Sequence, residues 1–210
     1  MSSAIDPVWE EVYSRGEQLN RYPWDIVVSF VFTNGGGRPR DRTTVLEVGF
    51  GSGANLWFAA REGFRVCGVE QSASAVAHAQ ALFERDGLSG DLRVGDFAAL
   101  PFGDQSANLA IDHGALTCVS QEDAAVAVAE VRRVLRPGGR LLFTPFSVED
   151  SRAAAGAIPH AGRIEFYDRP KVEATLGPGW ELVSLDHLRV EDRLADSQVH
   201  ASWRVIAERV

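Results

Sequence analysis

Between residues 45 and 145, short apolar runs that read as strands take turns with longer runs of helical periodicity, and this alternation constrains the fold more than any other feature. Each strand–helix–strand unit returns the chain in its original direction, so successive strands lie parallel with helices over them. The spacing predicts strands at Val45–Val48, Arg65–Val69, Leu92–Val94, Leu109–Ile111 and Arg140–Pro145. Helices are expected near Gly53–Glu62, Ala73–Asp86 and Glu122–Leu135, and a further one over DIVVSFVF. Inward stripes are read at Leu56, Phe58 and Ala59, and at Ala125, Val128, Ala129 and Val131 through Leu135. After Leu135 the run RPGG should stop the helix and turn the chain into the next strand. Two strand-like runs, WELVSLDHLRV and QVHASWRVIAERV, flank the polar loop EDRLADS and read as an antiparallel pair. The expected fold is α/β: a doubly wound, mostly parallel seven-stranded sheet with an antiparallel C-terminal strand pair.

Composition narrows the classes of function. A length of 210 residues with 45% hydrophobic content suits one domain spanning 1–210. No run of about 18 uncharged apolar residues occurs, and MSSAIDPVWEE carries acids where a signal peptide carries basic residues, so a cytoplasmic chain without membrane association is expected. Cys67 and Cys118 sit in apolar contexts and read as reduced core thiols rather than metal ligands. A formal charge of −8 opposes a nucleic-acid partner, which is bound through clustered Lys and Arg, and favours a small molecule. Either a monomer or a homodimer is compatible with these features.

The segment VLEVGFGSGAN places Gly49, Gly51 and Gly53 where a buried strand turns into a helix. Glycines there let the backbone pass close to a ligand, and the helix behind them presents free N–H groups. A dinucleotide fits locally, since Gly49, Gly51 and Ala54 satisfy G-x-G-x-x-G/A with an acid, Glu70, about twenty residues on. Against it, Glu47 lies inside the strand and the third glycine falls one place early.

In order along the chain, EVGFGSG (47–53), GVEQS (68–72), GDFAALPF (95–102), NLAIDHGAL (108–116) and LRPGGRLLF (135–143) resemble the motifs of the class I S-adenosylmethionine-dependent methyltransferases. The resemblance covers about half the chain and implies the Rossmann-like methyltransferase fold, with S-adenosyl-L-methionine as donor and S-adenosyl-L-homocysteine as product. It implies that Gly49, Gly51 and Gly53 pass under the donor's methionine and ribose and that Glu70 accepts both ribose hydroxyls, with Gln71 near the adenine. A carboxylate suits a diol because its two acceptor oxygens meet two donors on one edge. Asp96 and Phe97 match the acid-plus-apolar pair against adenine, with a turn-capping Asp96 as the alternative. Glu47 either orders the glycine loop, faces the donor's amino group, or is a buried acid satisfied by loop N–H groups. Asp112 would offer backbone contacts to the methionine portion.

Residues 1–30 hold an aromatic arm and a first helix, and the resemblance makes this arm a lid, with Tyr13, Tyr22 and Trp24 as candidates to meet the sulfonium through cation–π attraction. The alternative is that these rings seal a core. His113 is the candidate base for a hydroxyl or amine acceptor, or else a wall of the site. Segment 144–168 is the expected acceptor-binding insertion, where His160, Arg163 and Tyr167 could read a polar group, while His187 and His200 read as structural or surface residues. Methyl transfer to an oxygen or nitrogen of a small molecule uses every motif. A nicotinamide-dependent oxidoreductase and a non-catalytic donor-binding protein are the alternatives.

Overall fold

A computed structural model describes residues 7–155, 163–192 and 198–210. Seven strands form one sheet: β1 Thr44–Val48, β2 Arg65–Glu70, β3 Asp91–Val94, β4 Ala107–Asp112, β5 Leu135–Phe143, β6 Trp180–Asp192 and β7 Gln198–Arg209. Their order is β3-β2-β1-β4-β5-β7-β6, with β1 to β5 parallel and β7 antiparallel to both β5 and β6. The helices are α1 Val8–Ser14, α2 Asp25–Asn34, α3 Ala54–Arg61, α4 Ala73–Arg85, α5 Gln121–Val134 and α6 Arg169–Leu176. The doubly wound sheet and its closing antiparallel pair are as expected. Among the described residues, no helix is long and apolar enough to cross a membrane.

The two-residue period of each strand divides its side chains between two cores. Val45, Val66, Leu109 and Leu142 face α2, α3 and α4, whereas Leu46, Cys67, Ala110 and Leu141 face α5 and α6. Local chemistry sets the helix starts. Ser72 caps α4 by accepting from the Ala75 amide at 3.1 Å, Ser120 does the same for α5 from Asp123 at 3.1 Å, and Asp168 caps α6 from Lys171 at 2.9 Å.

Two local expectations are corrected. The buried face of α5 is Ala124, Ala127, Val128, Val131 and Val134, with Ala129 exposed, because one helical stripe follows i, i+3, i+4 and i+7 and cannot hold five consecutive residues. The fifth strand begins at Leu135 rather than Arg140 and ends at Phe143. Leu135 still pairs with Ala107, the register then jumps to Leu109 opposite Arg140, and residues 136–139 bulge out between them.

The chain runs outward from β1 through β2 to β3, then returns to place β4 on the other side of β1. A crevice therefore opens beyond the carboxyl ends of β1 and β4, where the winding reverses.

Candidate functional site

The glycine loop rises from the end of β1 into this crevice with all three glycines at positive φ: Gly49 at 66°, Gly51 at 50° and Gly53 at 78°. Their neighbours differ. A Cβ on Gly49 would fall 2.2 Å from Ala115 Cβ, one on Gly51 would fall 2.6 Å from the Tyr13 hydroxyl, and one on Gly53 would fall 2.7 Å from Ala79 Cβ. Gly53 caps α3 and lets it approach α4, and it lines no part of the crevice. Glu70, the last residue of β2, holds the loop in shape: one carboxylate oxygen accepts the Gly51 amide at 3.0 Å and the other accepts the Ser72 amide at 2.9 Å.

Two cavities flank the loop. The first, about 130 Å³, is lined by Glu70, Gln71 and Phe97 on one side and by Trp9, Cys118 and Val119 on the other. The second, about 90 Å³, is lined by Glu47, Ser52, Asn55 and Trp24. Tyr13, Gly49 and His113 border both cavities, so the two form adjoining lobes of one crevice. Among the described residues, no lysine or arginine lines either lobe, and no cluster of His, Cys, Asp and Glu is placed to hold a metal ion.

Three buried carboxyls stand under and beside this loop. Glu47 Oε1 accepts from Asn55 Nδ2 at 2.7 Å while Oε2 has no hydrogen-bond partner among the described residues, and burial pushes the group up to about 8. Asp112 Oδ1 accepts the Leu116 amide at 2.9 Å while Oδ2 has no hydrogen-bond partner among the described residues, and burial pushes it up to about 7. Glu70 is also pushed up, again chiefly by burial. Buried acids left without a cation are costly, and an unpartnered carboxylate oxygen marks a place where a donor or a positive charge would be favourable.

The His113 ring follows β4, lies 4.8 Å from the Trp24 ring and is pushed down to about 4 by burial. Its Nδ1 is 3.0 Å from Thr144 Oγ1. The segment before α2 is tied to the loop, since the Trp24 amide donates to Asn55 Oδ1 at 3.0 Å and Ser52 Oγ donates to the Asn20 carbonyl at 2.9 Å. Helix α1 lies over the first lobe, anchored where Glu10 accepts from Ser72 Oγ at 2.6 Å and from the Ser74 amide at 3.2 Å.

Of the residues singled out from sequence, Glu47, Gly49, Gly51, Glu70, Gln71, Phe97, His113, Tyr13 and Trp24 meet at the crevice. Tyr22 is 78% exposed and lines neither lobe. Asp96 also lines neither, and its Oδ1 accepts the Ala98 amide at 2.8 Å, the bond of a turn cap. Asp112 sits behind the wall, fully buried. Tyr167 is no surface reader of polar groups: it is sealed in the core with its ring edge-on to Phe143 at 5.9 Å. Arg163 is paired with Glu165 at 3.1 Å, and His160 lies outside the described residues. Cys118 differs from a core thiol in lining the first lobe, half-buried, while Cys67 is buried. His187 stacks on Trp203 at 4.6 Å and bonds Ser147 Oγ at 2.8 Å, and His200 is exposed.

Sequence reasoning missed Asn55, Thr144 and Trp9. Asn55 had a signal: it is the one polar side chain in the apolar run before Arg61 in ANLWFAAR. Trp9 lies in the aromatic arm and Thr144 opens the segment 144–168, but within those segments nothing local singles out either residue.

A family model described as a methyltransferase domain matches residues 45–139, from β1 into the bulge of β5. The chain is similar to malonyl-(acyl-carrier protein) O-methyltransferase of Erwinia billingiae, 34% identical over 120 residues, covering 56% of this chain and 45% of that protein. It is similar to 2-methyl-6-phytyl-1,4-hydroquinone methyltransferase of Synechocystis, 31% identical over 137 residues, covering 64% of this chain and 39% of the other. The chain spans about half the length of the first curated relatives it matches, 43%, 45% and 53%. Among solved structures, a methyltransferase from Methanosarcina mazei superposes with a TM-score of 0.69 at 20% identity, covering 90% of this chain and 99% of that one. The cyclase SpnF superposes with a TM-score of 0.70 at 19% identity, covering 98% and 93%. At such identities these likenesses describe the fold alone.

Proposed function

Since this chain belongs to the class I S-adenosylmethionine-dependent methyltransferase family, we propose that it transfers a methyl group from that donor to an oxygen of a small-molecule acceptor. The observation that carries the donor assignment is the set of buried carboxyls without a cation around a loop that bares its backbone. Gly49 and Gly51 border the crevice with bare backbone, Glu70 has lone pairs beyond the two used on amides, and Glu47 Oε2 is an acceptor without a partner among the described residues. When bound, S-adenosylmethionine supplies an electrophilic methyl group on a sulfonium and carries an ammonium. A crevice lined by acids, with no lysine or arginine among the described residues around it, suits such a ligand and is less suited to the pyrophosphate of a nicotinamide dinucleotide.

Glu70 would hold the ribose diol, Phe97 and Gln71 the adenine, and Glu47 the ammonium. Gly53 and Asp112 would support the loop and the β4 end from behind, with Trp24 and Tyr13 over the junction of the lobes. Asp96 and Tyr22 keep no assigned contact in this arrangement. His113 would be the proton acceptor. Held neutral near pH 7, it is always ready, yet too weak a base to ionise an alcohol beforehand. The acceptor's proton would therefore leave as the new oxygen–carbon bond forms, when that oxygen becomes far more acidic. An ammonium never becomes acidic enough for so weak a base, which favours oxygen over nitrogen. The O-methyltransferase similarity agrees with this choice.

Titration calorimetry tests the donor: binding of S-adenosylhomocysteine without binding of NAD is expected, and the reverse result would overturn the proposal. A screen for S-adenosylhomocysteine formation across hydroxy acids, phenols, sugars and amines then separates an enzyme from a non-catalytic binding protein.

A further inference from the structure

Thr144 follows the last residue of β5 and meets His113 across the ends of two adjacent parallel strands, where Asp112 and Phe143 are in register. Its hydroxyl has one proton and two polar neighbours. The main-chain oxygen of Asp112 lies 3.2 Å from Thr144 Oγ1 and also accepts the Thr144 amide at 3.2 Å. A carbonyl oxygen can only accept, so the hydroxyl proton is committed to it. Thr144 Oγ1 then faces His113 Nδ1, 3.0 Å away, as an acceptor, and that nitrogen must carry hydrogen. From this geometry we infer that Thr144 fixes His113 in the Nδ1–H tautomer and turns a bare Nε2 lone pair to the junction of the two lobes.

Burial keeps the ring neutral, so it has a single proton to place, and Asp25 is the charged group that acts on it, pulling the other way. Trp24 packs against the ring at a 47° tilt, and its indole has no acceptor to compete for Nδ1. Imidazole left to itself in water prefers its proton on the opposite nitrogen, so the tautomer is imposed by the Thr144 contact. Thr144 is thus a positioning residue: it touches neither ligand nor acceptor and acts through His113. The purpose of the device rests on the methyl-transfer reading above, whereas its geometry stands without it.

Nitrogen-15 spectra of the ligand-free, histidine-labelled protein read the tautomer directly. The expected result is a protonated Nδ1 and an unprotonated Nε2 for His113, retained in Thr144→Ser and moved toward the Nε2–H form in Thr144→Val. A wild-type ring protonated at Nε2, or a Thr144→Val spectrum identical to wild type, would overturn the inference. S-adenosylhomocysteine should bind Thr144→Val within about twofold of wild type, because the substitution leaves the donor contacts in place. If that ligand fails to bind even the wild-type protein, the methyl-transfer reading falls while the tautomer result still decides the inference.

Discussion

The two ends of the parallel strands treat their acids in opposite ways. At the amino ends, a cavity of about 240 Å³ is bordered by Arg140 and Glu208, which pair at 2.9 Å, and Arg140 also donates to Asn34 Oδ1 at 2.8 Å. Close by, Arg40 pairs with Glu62 at 2.8 Å. At the carboxyl ends, Glu47, Glu70 and Asp112 are more deeply buried and, among the described residues, have no arginine or lysine as partner. Desolvation rises with burial, so the acids in greatest need of a counter-charge are those without one. Such groups either hold their protons or take the missing charge from something bound beside them. Under the proposed function, that something is the donor.

The largest contrast lies in the backbone. Gly49 and Gly138 share the left-handed region, at φ 66° and 71°, but a Cβ on Gly138 meets nothing within 4 Å, whereas one on Gly49 strikes Ala115. Gly138→Ala should cost only the left-handed strain, about 1–2 kcal/mol. Gly49→Ala adds overpacking against Ala115, for a total of about 2–5 kcal/mol. Urea denaturation measures both, and equal losses would break the contrast.

Next comes Glu70→Ala. It removes a carboxylate that serves the Gly51 and Ser72 amides as well as the proposed ribose contact, and charge-assisted bonds of this kind are worth about 1.5–3 kcal/mol each. Affinity for S-adenosylhomocysteine should fall on the order of 100-fold by calorimetry. Glu70→Gln keeps one acceptor and should fall on the order of tenfold. Unchanged affinity in both variants would remove the crevice from the account.

The pH dependences of the two groups of acids should have opposite signs. Glu47 rises from 4.5 to about 8 on folding, so between those values the native state holds a proton that the unfolded chain has released. Stability therefore falls as pH rises through that window. Asp112 does the same between 3.8 and about 7. The arginine-paired Glu130 and Asp150 are held below their usual values, so their contribution is full above the ordinary carboxylate range and lost as pH falls. Melting temperature against pH should decline on the alkaline side for the wild type, and less steeply for Glu47→Gln. A cationic ligand reverses the need for the extra protons, so S-adenosylhomocysteine, which retains the ammonium, should release protons on binding near pH 7. Calorimetry in buffers of different ionisation enthalpy detects the release, and proton uptake would contradict the assignment of Glu47.

Much of this was written in the sequence, and the division follows the range of the interactions. Sheet, helix order and closing pair rest on period-two and period-3.6 patterns that local sequence carries, so they were legible. The glycine loop and Glu70 were legible because a strand end and a helix start bracket them. Thr144 beside His113, and Trp9 over the first lobe, depend on which strand ends become neighbours and on how α1 docks through Glu10, and neither has a local signature. Tyr167 misled because its residue type suits a ligand, while its place, in contact with Phe143, was set by packing. The partnerless oxygens of Glu47 and Asp112 could not be read at all, since a missing bond has no sequence pattern.

The smallest effect closes the comparison. Glu208 and Arg140 are each about one-third exposed, with side-chain values of 31% and 34%, so solvent screens their attraction. Glu208→Gln keeps an oxygen for Arg140 and loses only charge, which should cost less than about 1 kcal/mol and leave S-adenosylhomocysteine binding untouched. Glu47→Gln removes a charge of the same sign at the other end of the strands. There it relieves an uncompensated burial, so above pH 8 the ligand-free protein should gain stability while binding weakens. A gain in stability joined to a loss of binding is what a site held ready for a cation requires, and a purely structural acid would lose both or neither. Paired melts and titrations of the two variants at pH 8.5 decide it: a destabilised Glu47→Gln with normal binding would make Glu47 an ordinary buried acid, completed by Asn55 alone.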